Sequence, residues 1–132
     1  MALEALVTLL ALALDGGLVT AMDLVYPGSR LLLENRVRGN ELEIHYSCHA
    51  TRDPVELVVD RYEKDPRLTR GTWRQEKGEH GFQVSANPEL HVAIFPSSDL
   101  ARHSSCRAKL EDGERTVLQV SLGTRLSVPR GL

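Results

Sequence analysis

Residues 41–48 alternate without a fault between polar and apolar side chains. Leu42, Ile44, Tyr46 and Cys48 share one face of an extended segment, and Glu41, Glu43, His45 and Ser47 share the other. A period of two with one wet face is the signature of an antiparallel sheet. Comparable runs follow at 55–59, at Leu90, Val92 and Ile94, at Cys106, Ala108 and Leu110, and at 116–120 and 123–128. Turn residues separate them: Asp53-Pro54, Asp65-Pro66, Pro96-Ser97-Ser98, and Asp112-Gly113, the last a hairpin signal. No helical period stands out after residue 22, so the expected class is all-β. The alternation places Leu42, Ile44, Leu57, Val92 and Ile94 in the core, and Glu43, His45, Glu56 and His91 in solvent.

The N-terminus differs from this body. Residues 5–14 (ALVTLLALAL) form an apolar run too short to span a bilayer and of the length of a leader core. Val19 and Ala21 then occupy positions −3 and −1 of a cleavage point, although no Lys or Arg precedes Arg30. The expected organisation is a signal peptide over 1–21 and one domain over 22–132, secreted or displayed at the cell surface. Losing 1–21 removes Glu4 and Asp15 and leaves acidic and basic residues in balance. No later apolar run is long enough for a membrane span, so no transmembrane segment is expected after residue 21. The alternative is an intracellular structural or assembly protein, for instance a virion component, in which 1–21 stays as a packed helix and both cysteines remain thiols.

Charge and motif content narrow the function. Lys and Arg total 16 against 18 Asp and Glu, and aromatic residues make up 5%, so nothing draws the chain to nucleic acid. The sequence has no nucleophile elbow, Walker-type loop or dinucleotide fingerprint, and no cofactor is expected. Five histidines are scattered, four of them on wet faces or in a charged turn, and the carboxylate pairs Glu41/Glu43 and Glu111/Asp112 are solvated. An enzyme is not expected.

Two cysteines, Cys48 and Cys106, each fall on the apolar side of an expected strand. In a secreted chain they most simply form one buried disulfide between facing sheets. The repeated spacing His45-x-x-Cys48 and His103-x-x-Cys106 also admits a metal site. Residues i and i+3 of a strand point to opposite faces, however, so each histidine faces away from its cysteine.

Leu90, Val92, Asp99, Ala101 and Cys106, with Gly123-Thr124-Arg125-Leu126-Ser127-Val128 downstream and 41–48 upstream, resemble strands E–F, G and B of a variable-type immunoglobulin domain. Positions 60–63 read Asp-Arg-Tyr-Glu where that family carries its core tryptophan, and Ser104 stands where it carries a tyrosine. Within the family the likeness is to small natural cytotoxicity or costimulatory receptors. The resemblance implies an immunoglobulin-like antiparallel β-sandwich that binds another protein through loops at one end, here 49–54, 64–72 and 111–119. Two patches are candidates for contact. One is the turn Glu111, Asp112, Glu114 and Arg115. The other is the arginine cluster Arg70 and Arg74 around Trp73, with Arg67 and Lys77 beside it, whose residue types are enriched at interface hot spots. The plainer account of the second patch is a charged edge strand that resists aggregation.

Overall fold

The computed structural model describes residues 19–71 and 78–126. A short 3-10 turn, Ala21–Leu24, leads into strands β1 (Arg30–Arg38) and β2 (Leu42–Thr51), then helix α1 (Val55–Glu63). Strands β3 (Leu68–Gly71), β4 (His80–Val84) and β5 (Asn87–Pro96) follow, then the 3-10 turns Ser97–Arg102 and Ser104–Cys106, and finally β6 (Thr116–Arg125). All six strands belong to one antiparallel sheet of order β1-β2-β6-β5-β4-β3. The last strand therefore lies in the middle, hydrogen-bonded to β2 on one side and β5 on the other.

The all-β class holds in its coarse form, with a change in what covers the sheet. The segment 55–59, expected as a strand, is the first half of α1. Val55, Val58, Val59 and Tyr62 recur at helical spacing and face the sheet, while Leu57 points outward and is 51% exposed. Leu57 is thus not a core residue. The helix packs on a face built from Phe82, Val84, Leu90, Val92, Ile94, Leu118 and Val120. Tyr62 stacks on Phe82 with ring centroids 5.9 Å apart, and its hydroxyl donates to the Leu24 carbonyl, pinning the N-terminal turn to the helix. Val19, on the leader side of the expected cleavage point, is buried in this same cluster; residues 1–18 lie outside the described region.

The opposite face carries Cys48, Phe95 and Val117, and the chain from Ser97 to Arg115 folds over it. The expected strand through Cys106, Ala108 and Leu110 is instead a 3-10 turn followed by irregular chain. Asp112-Gly113 does make a turn, with Gly113 at φ 86° and the Glu114 N–H donating to the Glu111 carbonyl. Only β6 leaves it as a strand, so it is not a hairpin. The disulfide Cys48–Cys106 is formed, with Cα atoms 5.6 Å apart, but it ties the sheet to the covering loop rather than one sheet to another. Among the described residues there is one sheet, clothed by helix on one face and by loop on the other. His103 anchors that loop as well: its ring stacks on Phe95 at 3.7 Å and its Nδ1 lies 3.6 Å from the buried Glu79 carboxylate.

Candidate functional site

Strand β2 supplies both kinds of surface because its alternation is real. Register with β6 sets His45 opposite Leu122, Ser47 opposite Val120 and His49 opposite Leu118, so these polar residues share the face on which α1 lies. The helix covers the β5–β4 side of that face and stops short of β1 and β2. What remains open is a cavity of about 530 Å³ between the N-terminal turn and the β1–β2 ladder, with Met22, Leu31, Glu34, His45, Ser47 and His49 among its walls.

The polar floor holds two separate hydrogen-bonded pairs along β2. His45 Nε2 lies 2.7 Å from Glu43 Oε1, and Ser47 Oγ lies 2.8 Å from His49 Nε2. Glu34 stands opposite Ser47 and Arg36 opposite His45. Burial pushes the His49 imidazole below its ordinary pKa, while the Glu34 carboxylate opposes that shift. The hydrogen bond with His45, reinforced by Arg36 and Arg38, holds the Glu43 carboxyl below the usual range. Ser47 beside His49 has the make-up of a nucleophile and its base. β2, however, is paired along its length with β1 and β6, so its backbone N–H groups are committed to the ladders and do not converge on an oxyanion position. The row offers hydrogen bonds at the floor of a groove.

The rim of the groove is apolar. Among the described residues, four large apolar side chains are exposed: Met22 (79%), Leu31 (47%), Val37 (52%) and Leu57. Met22 and Leu31 border the groove, Val37 lies further along β1 on the opposite face of the sheet, and Leu57 is on the outer side of α1. Strand β1 is one edge of the sheet, and Glu34 to Arg38 are exposed throughout.

The residues singled out in the sequence sit elsewhere. Arg70 is on β3, with its guanidinium bonded to Glu63 Oε1 at 2.9 Å and to His80 Nδ1 at 3.1 Å, and stacked 5.0 Å over the Phe82 ring. These contacts tie α1 to the sheet. Trp73, Arg74 and Lys77 lie outside the described residues. Of the turn residues, Glu114 is not free: its side chain is 5% exposed and grips Arg30 Nη2 at 2.7 Å and the Glu111 N–H at 2.7 Å. Glu111 joins the same arginine at 3.0 Å, and the Arg115 N–H donates to the Thr51 carbonyl. Asp112 alone is a plain exposed acid at the tip. The turn is therefore a clamp on β1, not an independent contact loop. Sequence reasoning missed Leu31 and Glu34, since the register between β1 and β2 shifts between Leu31 and Leu33 and a bulge scrambles the alternation that would have exposed the strand, and it missed Met22 because only the tertiary fold brings the N-terminal turn to the groove.

Compared with known proteins, the chain matches no family model, no curated protein and no solved structure.

Proposed function

We propose that this chain is an extracellular, non-enzymatic recognition module that binds another protein with the open β1–β2 end of its sheet. The observation that carries the reading is the open edge strand β1, with Met22 and Leu31 exposed beside the groove on one face of the sheet and Val37 exposed on the other, since exposed apolar side chains gathered along one edge mark a contact surface. An edge strand adds backbone donors and acceptors that an extended partner segment can pair with, and the groove adds pockets for side chains. The Cys48–Cys106 bond supports an oxidising compartment, and no helix among the described residues is long and apolar enough to cross a membrane. An immunoglobulin-like reading draws support from the antiparallel strands and the disulfide. Helix α1 and the loop that carries Cys106 favour recognition by the sheet edge over recognition by end loops.

The test is binding of the purified chain to an array of extracellular protein domains, alongside Leu31→Asp, Val37→Asp and the distant surface variant Glu56→Lys. The reading expects at least one domain to be bound by the parent and by Glu56→Lys, and lost by both β1 variants with their thermal melts unchanged. No bound domain, or equal binding by all four proteins, overturns it.

A further inference from the structure

The two edges of the sheet are unlike. β3 has four residues, Leu68–Gly71, and is short enough to offer little to a second chain. β1 has nine, Arg30–Arg38, with both faces exposed from Glu34 onward. Edge strands are ordinarily guarded by charges that repel a copy of themselves. The charges on β1 do the reverse when the strand meets itself.

Arg36 marks which way the edge faces. Its N–H donates to its neighbour's side chain, Asn35 Oδ1, at 2.8 Å, and so points away from β2. Glu34, Arg36 and Arg38 then present their backbone groups outward, while Asn35 and Val37 present theirs to β2. Two copies related by a two-fold axis normal to the sheet must pair residues of like orientation, so the axis passes through a residue. Past the bulge, each choice can be tried. Centring on Leu33 runs the pairing through the bulge between Leu31 and Leu33, which breaks the ladder. Centring on Glu34 opposes Glu34 to itself; on Arg36, Arg36 to itself; on Val37, Arg36 to Arg38. Each of these latter choices sets like charges directly across the interface. Centred on Asn35, Glu34 faces Arg36 twice on the groove side, and Leu33 faces Val37 twice on the other side.

We infer that β1 pairs with β1 of a second copy of this chain, antiparallel and centred on Asn35, to give one continuous twelve-stranded sheet from two six-stranded ones. The Glu34–Arg36 pairs exchange both outward hydrogen bonds, and the Arg36 N–H trades Asn35 Oδ1 for the partner's Glu34 carbonyl. Val37, 52% exposed in the single chain, is covered by Leu33 of the partner subunit. The inference rests on the proposed use of the β1 edge and names a second copy as its occupant. A strand-to-strand interface of this length is small, so the association is concentration-dependent rather than permanent.

Sedimentation velocity on the full chain over a wide concentration series should show reversible dimers. Arg36→Glu, which sets a carboxylate against the partner's Glu34 across the axis, should weaken dimerisation by roughly tenfold or more, and the double variant Glu34→Arg/Arg36→Glu should restore it. Because Arg36 also lies 3.5 Å from Glu43 in its own chain, a second measurement does not depend on charge. Asn35→Cys places two thiols opposite each other in a non-hydrogen-bonded pair, about 4.5 Å between Cα atoms, and should oxidise to a covalent dimer. Arg38→Cys, far from the axis, should not. A chain that stays monomeric at every concentration, or Asn35→Cys and Arg38→Cys that crosslink alike, overturns the inference. If β1 variants of a monomeric chain still lose binding to an extracellular domain, the recognition reading survives and only the self-pairing falls.

Discussion

Arg30 and Glu114, 84 positions apart, meet at 2.7 Å and bind the first residue of β1 to the turn that launches β6. Glu114 is nearly enclosed while Arg30 keeps more than a third of its side chain in solvent. The hydrogen bond from Arg30 holds the Glu114 carboxyl below the ordinary glutamate range. A group whose folded pKa is depressed stabilises the fold above its unfolded pKa, about 4.3, and loses that effect as pH falls through the folded value. Glu114→Gln should therefore melt lower than the parent at pH 7, and the two melting curves should converge in acid below about pH 4. A difference that persists unchanged into acid would dissociate the clamp from the ion pair.

His49, His80 and His91 are each held below the ordinary histidine pKa, in every case first by burial. The unfolded chain thus takes up protons before the folded one as pH drops through about 6.5, and stability falls over that window until the folded values are passed. Thermal melts should be lower at pH 5 than at pH 7.5. His49→Asn should flatten part of that slope; a slope identical to the parent's would mean that His49 titrates normally in the fold.

Removing the disulfide should be costly. Cys48 and Cys106 are fully buried and close a separation of 58 residues. Cys48→Ala/Cys106→Ala should lose about 2–5 kcal/mol in urea unfolding, since the unfolded chain regains its freedom and the loop over Phe95 is untethered. A variant as stable as the parent would show that the covering loop holds without the bond.

α1 yields a test in two adjacent residues. Val58 is fully buried and Leu57 is half in solvent. Val58→Ala should cost about 1–3 kcal/mol, and Leu57→Ser should stay within about 0.5 kcal/mol. A strand over the same residues reverses the order of the two effects.

That pair also shows where the sequence was legible and where it was not. β2, β5 and β6 could be read because each buries side chains with a period of two against a continuous sheet. Val92 and Ile94 are core as expected, but Leu42 and Ile44 are only half-buried, since the covering loop reaches Tyr46 and Cys48 and goes no further along β2. His45, Glu43 and His91 are likewise half-buried rather than solvated. At 55–59 the β-branched residues argued for a strand, while the helical spacing becomes visible only when Tyr62 is included with Val55, Val58 and Val59. Cys106, Ala108 and Leu110 alternate, yet they answer to the disulfide and the sheet beneath rather than to a strand neighbour. The groove was hidden for a different reason: its floor is written in the alternation of β2, but its rim comes from Met22 and Leu31, which only the tertiary fold brings there.

The position of β6 between β2 and β5 governs how this protein can be made. On an elongating chain β1 and β2 emerge first and β3 to β5 next, and neither group has a partner for its inner edge until residues 116–125 have left the ribosome. The sheet cannot grow strand by strand in the order of synthesis. Without β6 the two strand groups share no ladder, so the long-range pairings that join them close only at the end of synthesis, a slow and aggregation-exposed route. Cys48 and Cys106 both precede β6, so wherever the bond forms it can fasten the covering loop to β2 before the strand that joins the two groups arrives.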